Sequence, residues 1–144
     1  MQQPIVNLGK GVDALFIKND RFNSTLLSVH FFVPLNSQTI EKNALLPFLL
    51  SSCTDEYKDY TKLNIRLLEL YGAILSSSVN KSGDNLHITL SLNLINNDLT
   101  FDNEDIITKG ADLLFSMIFN PSLPFTIFLI LNPIVILCNF RHIF

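Results

Sequence analysis

The chain has no tryptophan, two cysteines and five glycines in 144 residues, and each scarcity closes off a class of function. Cys53 and Cys138 lie far apart and neither has a CxxC or CxxH neighbour, which excludes a zinc ribbon or a dithiol redox motif. They read as two free thiols in a reducing cytosol. With so little glycine there is no phosphate-cradling loop; LGKGVDAL has two glycines but leads into a strand rather than opening a helix. No GxSxG occurs, and Ser51-Ser52-Cys53 has no nearby histidine to serve as its base. Charged residues make up 16% and the net charge is −3, with no block of one sign, so nucleic acid is not an expected partner. The start, MQQPIVNLGKGVDALFIKND, lacks the basic region, apolar run and cleavage site of a secretory leader. No repeat and no low-complexity tract is found.

What is present is apolar: 48% hydrophobic residues, enough for one ordinary domain or part of a larger one. Residues 12–17 (VDALFI) predict a strand entered through Gly9 and Gly11. Residues 25–35 predict a second, with Leu27, Val29, Phe31, Val33 and Leu35 on one face, and Ser28 and His30 on the other with Leu26 and Phe32. A polar connector, NSQTIEK, then leads to an oily helix that Asn43 could cap. TDEYKDY is a charged loop whose acids Asp55, Glu56 and Asp59 face solvent. The next helix carries Leu63, Leu67, Leu70 and Tyr71 at i, i+4, i+7, i+8 and stops at Gly72. Residues 74–80 form a polar strand and Lys81-Ser82-Gly83-Asp84 a hairpin turn. The strand beyond has the cleanest alternation, with Leu86, Ile88, Leu90, Leu92 and Leu94 against His87, Thr89, Ser91 and Asn93. The acids of Asp102-Asn103-Glu104-Asp105 then open a third helix, with Ile107, Ala111, Leu114 and Ile118 as its buried seam and Asn120-Pro121 as its end. The order β, β, α, α, β, β, α predicts an α+β fold, a mostly antiparallel sheet with helices on one face.

The residues alone reveal no active site. His30 and His87 sit on the non-core faces of their strands with no second ligand at i±2 or i±4, and read as exposed strand residues rather than metal ligands. His142 lies near the C-terminus. No catalytic, cofactor-binding or metal-binding residue is expected, and no cofactor.

Read in order, LLELYGAILSSSVNKSGDNLHITLSLNLIN, the following helix ending MIFNP and the preceding LSVHFFVPLNSQTIEKNALLPFLLSSCT resemble the N-terminal domain of the insulinase-like (M16) metallopeptidases. ELYGA followed by V-x-K-x-G narrows the resemblance to a non-catalytic bacterial subgroup, the elongation factor P 5-aminopentanol modification-associated proteins of the YfmF type. It covers roughly residues 5–123, and implies a partial M16-like N-terminal domain over residues 1–123. Active members carry H-x-x-E-H on the helix after the second strand, two histidines binding zinc and the glutamate activating its water. Laid over this chain, the motif falls on Ala44-Leu45-Leu46-Pro47-Phe48, which has neither ligand nor base. The family's third ligand, a glutamate, lies beyond the matching region. The resemblance therefore implies an inactive subunit, not an enzyme, working in the cytoplasm in elongation factor P modification-associated processing. Its implied partner is a second M16-like protein that retains H-x-x-E-H, in a heterodimer.

The tail departs from that pattern. No Asp, Glu, Lys or Arg occurs between residues 113 and 140. Of the 21 residues from 124 to 144, Phe, Ile, Leu and Asn supply 14. Residues 124–144 read first as the product of a shifted reading frame, with a weakly membrane-associated segment and a packed segment as alternatives; Asn132-Pro133 would break a spanning helix. On the first reading the chain is a truncated remnant, and the sheet face of Leu86 to Leu94 is expected to lack covering helices. On the second it is a small membrane-tethered interaction module.

Overall fold

The computed structural model describes residues 5–19, 21–52, 56–57, 59–120 and the backbone of 134–140. Its elements are β1 (Ile5–Gly9), β2 (Val12–Lys18), β3 (Ser24–Pro34), α1 (Ile40–Leu50), α2 (Tyr60–Glu69), β4 (Ile74–Ser82), β5 (Asn85–Ile95), two short 3₁₀ turns (Asn97–Leu99 and Phe101–Asn103), α3 (Ile106–Phe119) and β6 (Ile134–Phe140). The strands form one six-stranded sheet in the order β1-β2-β6-β3-β5-β4. Four of its neighbouring pairs are antiparallel and only β2–β6 is parallel. The fold is therefore α+β with a mostly antiparallel sheet.

Register explains the core. In β3–β5, Leu27 faces Leu92, Val29 faces Leu90, Phe31 faces Ile88 and Val33 faces Leu86, so both apolar faces fall on one side of the sheet. Against them pack Leu46 and Leu50 of α1, Leu63 of α2 with Leu70 just beyond it, and Ile106, Leu113, Leu114, Met117 and Ile118 of α3, all buried. The sheet face of Leu86 to Leu94 is thus covered by α1 and α3, and Ile88, Leu90 and Leu92 are each 0% exposed. This corrects the expectation of a bare apolar face. Each such side chain gains about 1.5–3 kcal/mol relative to exposure.

Several local expectations shift. The stretch IVNLG, unassigned from sequence, is the edge strand β1, joined to β2 by a turn at Lys10-Gly11. α1 starts at Ile40, with Thr39 before it, so Asn43 is not its cap but lies in its second turn, 2% exposed. Pro47 lacks an N–H, so the Asn43 carbonyl receives no helical hydrogen bond from it. Asp59 does cap α2, its carboxylate accepting from Thr61 N at 3.0 Å. At the other end of α2, Tyr71 (φ 59°) and Gly72 (φ 75°) both turn left-handed, and Ala73 N donates back to Leu67 O at 2.9 Å.

The buried seam of α3 keeps the expected Leu114 and Ile118 but is broader and shifted at its start: Ile106, Gly110, Leu113 and Met117 are also buried, whereas the expected Ile107 and Ala111 are only partly so. Asp102 and Asn103 lie before the helix with φ of 59° and 51°, not in its first turn. Asp105 is the cap, accepting from Thr108 N at 3.2 Å. Asn97 reinforces it from outside, its Oδ1 accepting from Ile106 N at 3.0 Å and Ile107 N at 3.2 Å. Those hydrogen bonds satisfy two of the orphan donors of the first turn.

Of the tail, residues 121–133 and 141–144 lie outside the described residues. Ile134–Phe140 forms the strand between β2 and β3, with Ile136 opposite both Ala14 and Val29. Among the described residues no helix is long and apolar enough to cross a membrane.

Candidate functional site

Three places in the fold gather residues of chemical interest. The first is α1, where the M16 resemblance aligns the zinc motif. The residues of α1 turned to the sheet are Asn43, Leu46, Pro47 and Leu50, at i, i+3, i+4 and i+7. Ala44 and Phe48, one turn apart, lie off that seam, Ala44 half-buried and Phe48 53% exposed. Leu45 is exposed beside them. None of the five side chains from Ala44 to Phe48 carries a nitrogen, oxygen or sulfur atom, so this face offers a cation nothing. Among the described residues no three His, Cys, Asp or Glu side chains converge as a metal cluster.

The second is an open groove lined by Glu56, Tyr57, Arg66, Lys109, Asp112 and Leu113. Its charges are largely spoken for. Arg66 Nη1 donates to Glu69 Oε2 at 3.0 Å, a hydrogen bond that raises the guanidinium pKa further. Lys109 pairs with Glu104 and holds that carboxyl below its ordinary value. Tyr71 ties the neighbourhood together, its hydroxyl accepting from Phe101 N at 3.1 Å and donating to Glu104 at 3.4 Å. Burial, then the charge of Glu56, pushes the Tyr57 phenol up, so it stays protonated. Glu56 is exposed in its loop, as expected, and lines the rim of this groove, while Asp55 lies outside the described residues. The groove holds no nucleophile beside a base; Arg66 pairs with Glu69 within α2, and Lys109 of α3 pairs with Glu104 just before that helix.

The third is a pair of histidines on the sheet face opposite the helices. His30 Nδ1 and His87 Nε2 are 2.8 Å apart, and both residues are half-buried. They are not the isolated exposed residues that the sequence suggested. Neither has its imidazole partner at i±2 along its own strand; each is met from the neighbouring strand across a separation of 57 residues. The alternation that puts both on the non-core face was the available signal; register supplied the rest. Of the thiols, Cys53 lies outside the described residues and Cys138 is in β6, opposite Phe16 and Leu27.

No protein-family model matches the chain. The chain is 31% identical over 113 residues to "Probable inactive metalloprotease YmfF" of Bacillus subtilis (strain 168), covering 78% of this chain and 26% of that protein. Among solved structures, a conserved protein from Enterococcus faecalis V583 superposes with a TM-score of 0.81 at 32% identity, over 85% of this chain and 29% of that one. A peptidase M16 inactive domain from Pseudomonas fluorescens superposes with a TM-score of 0.58 over 87% of this chain and 28% of that one. At 17% identity it speaks for the fold alone. The chain spans between a quarter and a third of the length of these relatives. By sequence the chain is similar to a probable inactive metalloprotease, and by fold it is M16-like.

Proposed function

We propose that the chain acts as a subunit without a catalytic zinc site, pairing with a second M16-like protein that retains H-x-x-E-H. The observation that carries this reading is the outward face of α1. Over the segment aligned with the zinc motif, Ala44, Leu45 and Phe48 present only carbon and Pro47 has replaced the base. Such a subunit contributes shape and substrate contacts, while the partner contributes the metal and its activated water. The process we assign is elongation factor P modification-associated processing in the cytoplasm. Its support is the resemblance of ELYGA and V-x-K-x-G to that subgroup, together with the likeness to an inactive metalloprotease.

Co-expression with the H-x-x-E-H-bearing M16-like protein of the same genome tests the pairing. A stoichiometric complex on size-exclusion chromatography, dependent on both chains, supports it; two separate peaks at micromolar concentration overturn it. The intact mass of elongation factor P in cells lacking the chain tests the process. An altered distribution of modified forms supports the assignment, and an unchanged one removes it.

A further inference from the structure

His30 and His87 meet on a diagonal of the sheet face away from the helices, since Thr89 stands opposite His30 in the β3–β5 register and His87 opposite Phe32. Their ring centroids are 5.1 Å apart, and His30 Nδ1 lies 2.8 Å from His87 Nε2. This is an N–H···N hydrogen bond, in which one nitrogen carries the proton and the other offers its lone pair. Thr89 Oγ1 lies 3.2 Å from the first nitrogen and 3.3 Å from the second. Ser28 Oγ lies 3.0 Å from the far nitrogen of His30, Nε2. His30 is thus tied to a hydroxyl on one side and to a second imidazole on the other.

Successive protons act on this pair in opposite ways. With none added, one ring N–H serves the contact. With one added, a cationic His87 donates from Nε2 to the Nδ1 lone pair of His30, and His30 donates from Nε2 to Ser28 Oγ. The contact is then charge-assisted and stronger. The Phe32 ring, stacked on His87 with centroids 4.6 Å apart and planes 3° from parallel, offers that cation an aromatic face. With two added, both facing nitrogens are donors, no lone pair remains between them, and two like charges meet at hydrogen-bond distance. Nothing charged stands by to offset this. The neighbours two along on the same strands are Ser28, Phe32, Asn85 and Thr89. β4 sets Asn80 opposite His87 and Ser78 opposite Thr89, and β6 sets Val135 opposite His30. None of these is an acid or a base. Burial, and then the nearby His87, accordingly holds the His30 pKa below its ordinary value.

We propose that His30 and His87 form an acid-labile latch between β3 and β5, which keeps its grip with one added proton, on His87, and opens when a second reaches His30 Nδ1. Opening parts the two rings and breaks the stack of His87 on Phe32. The pH window follows from linkage. In the unfolded chain each histidine charges near pH about 6.5, whereas the folded pair resists its second proton. Because the folded-state value of His30 is depressed, the latch contributes fully above the unfolded value, and its contribution is lost as pH falls from there through the lower folded value. One proton of difference makes the unfolding equilibrium constant rise close to tenfold per pH unit across that window, about 10-fold. Carboxylates, with ordinary values near about 4, stay charged through its upper part, so the latch answers acid before they do. It lies on the side of the sheet away from α1 and is independent of the pairing proposed above.

The test uses the full 144-residue chain. The ring signals of its histidines are followed by nuclear magnetic resonance as the pH is lowered from about 8 to about 5, across the histidine range. His30 and His87 are expected to titrate as a coupled pair, in two steps more than about one pH unit apart. Between the steps, the ring nitrogens of His30 should report the Nε2–H tautomer. In His87→Gln, His30 should titrate in a single step. Urea unfolding of that variant over the same range should lose the extra dependence of close to tenfold per pH unit. Single, independent steps for both rings of the parent overturn the proposal. So does a His87→Gln variant whose midpoint is lowered equally at every pH, as loss of a merely structural contact would do. Should His87→Gln fail to fold, the ring titration of the unmodified chain decides the matter alone.

Discussion

Gly110→Ala sets two effects of known sign against each other. Alanine in the interior of α3 gains about 1 kcal/mol over glycine in helix propensity. The added Cβ, however, stands 2.4 Å from Leu94 Cδ1, 3.0 Å from Leu94 Cδ2 and 3.2 Å from Leu92 Cδ2. Comfortable carbon contacts lie near 3.5–4.0 Å, so Leu94 must retreat by more than about 1 Å. It has no free direction, being 1% exposed beside Leu92 at 0%. Overpacking of this kind costs roughly 1–3 kcal/mol, so a net destabilisation of about 1 kcal/mol is expected. Leu94→Ala alone is expected to cost about 2–5 kcal/mol. In the double variant the new methyl occupies space that Leu94 has vacated, so the combined loss falls short of the sum by about 1 kcal/mol or more. Urea unfolding followed by far-ultraviolet circular dichroism reads all three variants, since the chain has no tryptophan to report by fluorescence. A Gly110→Ala variant more stable than the parent by the bare propensity gain would refute the close approach of α3 to β5.

Thr25→Val removes the hydroxyl that donates to Asn96 Oδ1 at 2.8 Å, where both residues are buried. The stranded acceptor should cost about 1–3 kcal/mol, read as a lower urea midpoint. Asn97→Ala strips two hydrogen bonds from the first turn of α3 and is expected to lose about 1–2 kcal/mol, comparable to loss of an N-cap; an unchanged midpoint would remove Asn97 from the cap. Asp105 has its pKa held below the ordinary carboxylate value by hydrogen bonding to Thr108, first through the side chain and then the backbone. Because the folded-state value is depressed, its stabilisation is complete above the unfolded carboxylate pKa of about 3.9 and is lost as pH falls through the lower folded value. The stability gap between the parent and Asp105→Ala should therefore be about 1 kcal/mol at neutral pH and shrink below pH about 4. A gap that stays constant down to acid pH would count against the carboxylate as the capping group.

The elements legible in the sequence are those whose own residues carry the burial pattern. β5 alternates without a break because one of its faces is buried, and the helix at Leu63 to Leu70 keeps its spacing for the same reason. β1 escaped because an edge strand takes its identity from its neighbour: Ile5 is 70% exposed and Leu8 58%, so IVNLG has no buried face to register. The later half of the α3 seam, Leu114 and Ile118, is legible, but its first half is not, because it turns on Gly110, which contributes closeness rather than hydrophobicity and leaves no mark in an apolar count. Asn43 misled for the complementary reason. A residue type that favours caps sits inside α1, with its Oδ1 buried and without a partner among the described residues and its Nδ2 3.5 Å from Thr39 Oγ1. Likewise, chain-local spacing cannot reveal the contact between His30 and His87, which exists only once the β3–β5 register is set.

On the proposed alignment, α1 also shows why an inactive relative keeps its fold. The positions that hold a helix to the sheet and the positions that hold a metal are different faces of one cylinder. Asn43, Leu46, Pro47 and Leu50 are buried, while Ala44 and Phe48, at the ligand positions, lie off that seam. Exchanging imidazoles for Ala and Phe there removes no core contact and leaves no buried charge unpaired. The catalytic chemistry can therefore disappear with little cost to the sheet and its covering helices. The glutamate position is the exception. Pro47 sits on the buried seam, where a proline both fills space against the core and forfeits a helical hydrogen bond to Asn43. A helix that still had to present a general base could not accept that exchange, whereas one that serves only as packing can.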